Sequence, residues 1–148
     1  MKRIAVLGTG NIAQTVAVDL KSNGHEVRLF APDYLISRIQ KIVDTHEIEC
    51  VGVFEAKEKI DVVTSDIDEA VKGADYIILC VPGNRHEEYA RILKGHTTAQ
   101  QILITFNGCM VSLIYKNVWE EDASCPIFAE STIPPFSARR VEPGKVRM

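Results

Sequence analysis

The sequence predicts a doubly wound α/β domain, built on a mostly parallel sheet of about six strands. Three observations carry that prediction. Short apolar runs rich in β-branched residues alternate with amphipathic helical stretches along the chain. The runs are continuous, with no polar alternation, as expected for strands covered on both faces. The first run leads directly into a glycine-containing turn, Gly8-Thr9-Gly10, that opens a helix.

The chain has 148 residues, 46% of them hydrophobic, which suits one domain with an adequate core. A net charge of −3 and the lack of clustered Lys/Arg argue against a partner among nucleic acids or acidic membrane surfaces. No apolar run approaches the roughly 20 residues that span a bilayer. Met1-Lys2-Arg3 runs straight into Ile4-Ala5-Val6-Leu7-Gly8, too short an apolar stretch for a signal peptide. A cytoplasmic protein is the expectation.

Taken in order, the strands are Arg3–Leu7, Val27–Phe30, Asp61–Thr64, Tyr76–Val81 and Ile102–Phe106, with a weaker sixth at Ile127–Glu130. Between them, Asn11–Ser22 carries Ile12, Val16 and Leu20 on one stripe and stops at Asn23-Gly24. Tyr34–Val43 aligns Leu35, Ile36, Ile39, Ile42 and Val43. Asp66–Lys72 is a short helix with Asp66 as its cap and Gly73 as its stop. Arg85–Lys94 and Met110–Trp119 complete the set. Cys50–Phe54 and Ile60–Thr64, around the polar Glu55–Lys59, read as a hairpin before or at the third strand. In the C-terminal tail, Pro143-Gly144 suits the centre of a type II turn. Residues 1–130 thus form the sheet domain, and 131–148 read as a linker and hairpin.

Gly8-Thr9-Gly10-Asn11-Ile12-Ala13 has the G-x-G-x-x-[GA] spacing between a strand and a helix that a dinucleotide requires. Gly8 permits the tight turn, Gly10 leaves room for a pyrophosphate, and Ala13 lets helix and strand approach. The amides of Asn11, Ile12 and Ala13 then face the diphosphate at the positive end of the helix. At the end of the second strand, where a carboxylate normally accepts from the 2′-hydroxyl of NAD, stands Ala31, with Asp33 two residues later. Asp33 reads more simply as a helix cap. Arg28 and Arg38 are the nearest bases, and the missing strand-end acid tilts the cofactor, NAD or NADP, slightly toward NADP.

The nicotinamide half is expected over the ends of the later strands, where Val81-Pro82-Gly83-Asn84, Asn107-Gly108 and Glu130-Ser131-Thr132 lie. Pro82 and Gly83 offer backbone beside Val81, Asn84 a helix cap, Asn107 an amide and Glu130 a carboxylate, with Val81, Pro82, Asn107 and Glu130 the cofactor-binding candidates. His86 is the one histidine within reach of the crevice. Cys50, Cys80, Cys109 and Cys125 lie far apart, without metal-ligand spacing, so no metal site is expected. Cys80 reads as a buried hydrophobe, and Cys109 or Cys125 as the place for any reactive thiol. No Ser/His/Asp set or carboxylate pair supports hydrolysis.

With these segments placed, the chain resembles the N-terminal domain of the opine dehydrogenase family, the octopine and nopaline dehydrogenase-like enzymes. The resemblance rests on the glycine fingerprint, on Gly24-His25-Glu26-Val27-Arg28-Leu29-Phe30, and on Val81-Pro82 followed by His86. Its most specific part is Glu130-Ser131-Thr132-Ile133-Pro134-Pro135-Phe136-Ser137-Ala138-Arg139, similar to the family's Glu-Thr…Leu-Pro-Tyr-x-x-Arg run. The earlier segments are shared with ketopantoate reductases and glycerol-3-phosphate dehydrogenases, and Asn107-Gly108 resembles the former. The resemblance implies reduction, by NAD(P)H, of the imine formed from an amino acid and a 2-oxo acid. It also implies a helical second domain, with the catalytic histidine, that has no counterpart here. No catalytic residue is therefore assigned, and this chain alone is expected to be inactive. Ala31 and Phe136, in place of the family's acid and tyrosine, depart from its pattern.

A stand-alone nucleotide sensor, like the domains that gate potassium transport, is the alternative reading. Apolar residues around Ile133–Phe136 and Met110–Trp119 are expected to stay uncovered and to favour a partner chain or a homo-oligomer.

Overall fold

The computed structural model describes all residues from Met1 to Met148. Its main sheet is six-stranded and wholly parallel, in the order β5-β2-β1-β6-β7-β8. The strands are β1 (Arg3–Leu7), β2 (Glu26–Phe30), β5 (Val62–Thr64), β6 (Tyr76–Leu79), β7 (Ile102–Thr105) and β8 (Ile127–Glu130). Ala5, Val6, Leu7, Ile77 and Leu79 are fully buried, because helices cover both faces. This is the Rossmann arrangement. The chain builds outward from β1 in one direction, returns at β6, and builds outward in the other. The loops after β1 and β6 therefore diverge and leave a crevice between them.

Helix α1 (Asn11–Ser22) packs Ala13, Val16 and Ala17 into one half of the core. On the other face, α4 (Ile67–Val71), α5 (His86–Leu93) and α6 (Ser112–Trp119) bury Val71, Leu93 and Trp119. The cap read at Asp66 is present, its carboxylate accepting from the Asp68 amide at 2.9 Å. The stripe read over Tyr34–Val43 is kept but divided into α2 (Asp33–Ile36), a 3₁₀ turn at Ser37–Ile39 and α3 (Gln40–Thr45). Ile39, in the turn, and Ile42, in α3, both reach the core.

A hairpin does precede the third strand of the main sheet, but its strands differ from the expected ones. β3 (Glu47–Val51) pairs antiparallel with β4 (Ala56–Lys59), and Val62–Thr64 belongs to the other sheet. The polar stretch read as a turn is itself a strand. It lies on the edge of the smaller sheet, where charge is the usual device, and Lys57 meets Glu47 at 2.9 Å.

After β8 the chain crosses the C-terminal ends of the strands and then reverses at Pro143-Gly144, where Gly144 has φ +74°. The flanking strands, β9 (Arg139–Glu142) and β10 (Lys145–Arg147), join the smaller sheet in the order β4-β3-β10-β9. β10 runs parallel to β3, and Val146 is buried in the same core as α1. Phe136 packs on that core too, and Trp119 is fully buried on the other face, so neither forms the uncovered patch expected of it.

Candidate functional site

At the divergence point, Gly8 takes φ +137°, donates its amide to Phe30 O at 3.0 Å and lies against the Cys80 carbonyl. Gly10 caps α1 with extended backbone, and the space a side chain would fill there holds no atom within 4 Å. The first bond of the helix runs from the Gln14 amide to Gly10 O at 3.1 Å. The amides of Asn11, Ile12 and Ala13 precede it and have no carbonyl to donate to. No acidic residue occupies the first turn, so nothing opposes an anion there. Ala13 is fully buried behind the turn, the close packing its small side chain allows.

Two clefts meet at this turn. One, of about 260 Å³, is lined by Gly10, Asn11, Ile12, Cys80, Val81, Pro82, Phe106, Asn107, Pro134 and Ala138. The other, of about 400 Å³, shares Gly10, Cys80, Val81 and Pro82 and extends past Leu35, Arg38, Asn84, Arg85 and Tyr89. Together they follow the C-terminal ends of the strands on either side of the helix amides. A dinucleotide has this shape: two nucleosides joined by a diphosphate.

The tail closes one wall. The Asn11 side chain donates through Nδ2 to Ala138 O at 3.2 Å, and the Arg140 guanidinium reaches Thr9 O at 3.4 Å. Thr9 O also accepts from the Gln14 side chain at 3.0 Å, which steadies the turn from below. Asn107 stands at the mouth with φ +56°, and Cys109 and Met110 beyond it are also left-handed. Such a concentration of positive φ in non-glycine residues is costly backbone, of the kind found beside ligands.

Residues 3–115 match the family described as NAD-dependent glycerol-3-phosphate dehydrogenase N-terminus. The chain belongs to that family. Among curated relatives, the opine dehydrogenase of Arthrobacter sp. strain 1C is 30% identical over 148 residues, covering 98% of this chain and 41% of that protein. The vitopine synthase of Allorhizobium ampelinum strain S4 is 28% identical over 144 residues, 95% of this chain and 40% of the relative. A solved octopine dehydrogenase in complex with NADH and agmatine shares the fold, with a TM-score of 0.89 at 24% identity. That likeness covers 99% of this chain and 39% of the other. The chain spans about 40% of the length of these relatives.

In this member of the family, Gly10, Asn11, Ile12, Val81, Pro82 and Asn107 line the clefts, and Gly8 and Ala13 lie behind them. Three other candidates do not. Ala31 is wholly buried, its amide bonded to Thr64 O at 3.1 Å, and presents no side chain to a ribose. Asp33 is exposed as the first residue of α2, while Pro32 holds the cap position, so it is neither a cap nor a cleft-lining group. Glu130 turns to the start of α6, accepting from Met110 and Ser112 amides at 2.9 and 2.6 Å. Partial burial pushes its carboxyl up, but these bonds outweigh that and hold it below the usual carboxylate range. Its carboxylate lies against Gly108, which has no side chain to obstruct it.

Arg28 is consumed by Glu26 and by the carbonyls of Glu69 and Lys72, on the side away from the clefts. Asn84 lines the second cleft and caps nothing. Burial pushes the Cys125 thiol up, which disfavours the thiolate. The walls that sequence reasoning missed are Pro134 and Ala138 from the tail and Arg85 and Tyr89 from α5 and its lead-in. Pro134 and Ala138 are brought in by the long-range return of the tail, whereas Arg85 and Tyr89 follow the Val81-Pro82 loop directly.

His86 does not reach the crevice. It is buried, with Nδ1 2.8 Å from the Tyr115 hydroxyl, which in turn lies 2.8 Å from Thr105 Oγ1. Tyr115→Phe is expected to strip both neighbours of a partner and cost about 1–3 kcal/mol of stability, read by urea unfolding. Burial holds the His86 imidazole below its ordinary 6.5, opposed by the Glu130 charge. The unfolded chain therefore takes up that proton first, and stability declines as pH falls below 6.5. His86→Gln is expected to flatten the pH 7 to 5.5 limb of a stability profile.

Proposed function

We propose that this chain is the dinucleotide-binding part of an opine-dehydrogenase-like oxidoreductase, which joins an amino acid to a 2-oxo acid through a reducible imine. The observation that carries the reading is the open space at Gly10 beside three amides with no acceptor. A diphosphate fits that donor set by both charge and hydrogen bonding. The nicotinamide half is assigned to the cleft of Asn107 and Pro134, the adenosine half to that of Leu35 and Arg38. Bound there, the cofactor supplies hydride. The protein's part is to hold the diphosphate at α1, to support it with the Arg140 charge beside Thr9, and to orient the nicotinamide edge with the Asn107 amide.

NADP is the favoured cofactor. The strand-end carboxylate that accepts from a 2′-hydroxyl is replaced by a buried alanine, while Arg38 and Arg85 line the adenosine cleft. Substrate binding and the catalytic acid–base group are assigned to a second domain or partner chain, consistent with relatives of more than twice this length. Met110, Leu113 and Ile133, 69%, 54% and 70% exposed, are the apolar surface available to it or to a second copy.

Parallel fluorescence titrations of the chain with NADH and NADPH test the reading. Saturable binding of one equivalent is expected, tighter for NADPH, with no turnover when amino acid and 2-oxo acid are added. Failure of both nucleotides to bind overturns it.

A further inference from the structure

Where the second cleft opens, three side chains join its two lips. Tyr34, on α2, places its hydroxyl against the Glu88 carboxylate of α5. Arg85, in the turn that leads into α5, donates to the same hydroxyl at 3.2 Å and pairs with Glu88 at 3.0 Å. Its guanidinium also lies 5.4 Å from the centre of the Tyr34 ring. Of the three, only Arg85 also lines the cleft. Arg38 lines it too, and no carboxylate pairs with it.

We propose that Arg85 is a cofactor-selectivity residue held in reserve by this clasp: paired to Glu88 in the free chain, it turns inward to join Arg38 on the 2′-phosphate of NADPH. This rests on the assignment of the cleft to adenosine. The chemistry is an exchange of acceptors. A carboxylate in partial solvent holds a guanidinium weakly, whereas a phosphate between two guanidiniums accepts bidentate, charge-assisted bonds from both. NADH has only a hydroxyl at that position, so it gives Arg85 no reason to leave Glu88. The clasp thereby separates the two cofactors without the strand-end acid on which the fold usually relies. Tyr34 contributes by stacking, which keeps the released guanidinium near the lip.

The test is the ratio of NADPH to NADH affinity, measured by fluorescence titration on the 148-residue chain. Arg85→Gln is expected to lower that ratio by roughly tenfold or more, the worth of a charge-assisted bond pair. Glu88→Gln removes the competing acceptor and is expected to raise the ratio by about two- to fivefold, the range of an exposed ion pair. Opposite movements of the ratio establish the exchange. A ratio left in place by both variants overturns it, as does a parallel loss of both nucleotides, which would make the clasp merely structural. If the unaltered chain binds neither nucleotide, the adenosine assignment itself falls, and the exchange with it.

Discussion

Replacing Gly10 with valine is expected to abolish NADH and NADPH binding while the chain remains folded. The backbone there, at φ −79°, suits any residue, and a β-carbon would meet no atom within 4 Å. The isopropyl group therefore fits the free protein. The loss of glycine at the helix cap costs only about 1 kcal/mol. What the side chain does fill is the space common to both clefts, in front of the Asn11 and Ile12 amides. A diphosphate kept from those donors forfeits charge-assisted bonds worth together about 3 kcal/mol or more, a hundredfold in affinity. Titration beside a thermal melt reads both halves of the expectation. Undiminished binding by a folded variant would place the diphosphate elsewhere.

Gly8→Ala is expected to do the reverse, damaging the fold before the site. Its φ of +137° is a region that only glycine adopts without strain, at a cost of about 1–3 kcal/mol for other residues. The added carbon would lie 2.5 Å from the Cys80 carbonyl oxygen. That oxygen is backbone and has no rotamer to yield. Relief requires β1 and the segment after β6 to part where Cys80 N bonds Leu7 O at 2.9 Å, at the centre of the sheet. A loss of about 3 kcal/mol is expected, which for a chain of this size lowers the melting temperature by roughly 6–12 °C. A melting point within a degree of the parent would show that the turn has slack that this packing denies it. The two glycines lie two residues apart in one motif, yet one is crowded by backbone and the other faces open space.

Much of this was legible beforehand. The parallel strands announce themselves because burial on both faces demands uninterrupted apolar runs, as in Ile77–Leu79 and Ala5–Leu7. The fingerprint is readable because its spacing is local, Gly8, Gly10 and Ala13 lying between one strand and one helix, although the Cys80 carbonyl that crowds Gly8 comes from a distant segment. β4 was illegible for the opposite reason. An edge strand needs backbone partners and solubility, and Ala56–Lys59 satisfies both with charge, leaving the pattern of a turn. Asp33 and Glu130 show the same limit at the site. A carboxylate near a strand end looks equally suited to a ribose, a cap or solvent, and only the position of the neighbouring amides selects among them.

The amino-acid order alone determined the strand–helix alternation, the turn at Gly8–Gly10 and the helix that starts there with free amides, since these depend on local conformation and periodicity. Tertiary structure alone decided the rest. It brought residues 131–138 back across the glycine turn, seated β10 on β3, and drew Tyr34 to Arg85 and Glu88 above the second cleft. Those contacts join segments far apart in the chain, and their energy comes from burial and charge pairing that no local window contains.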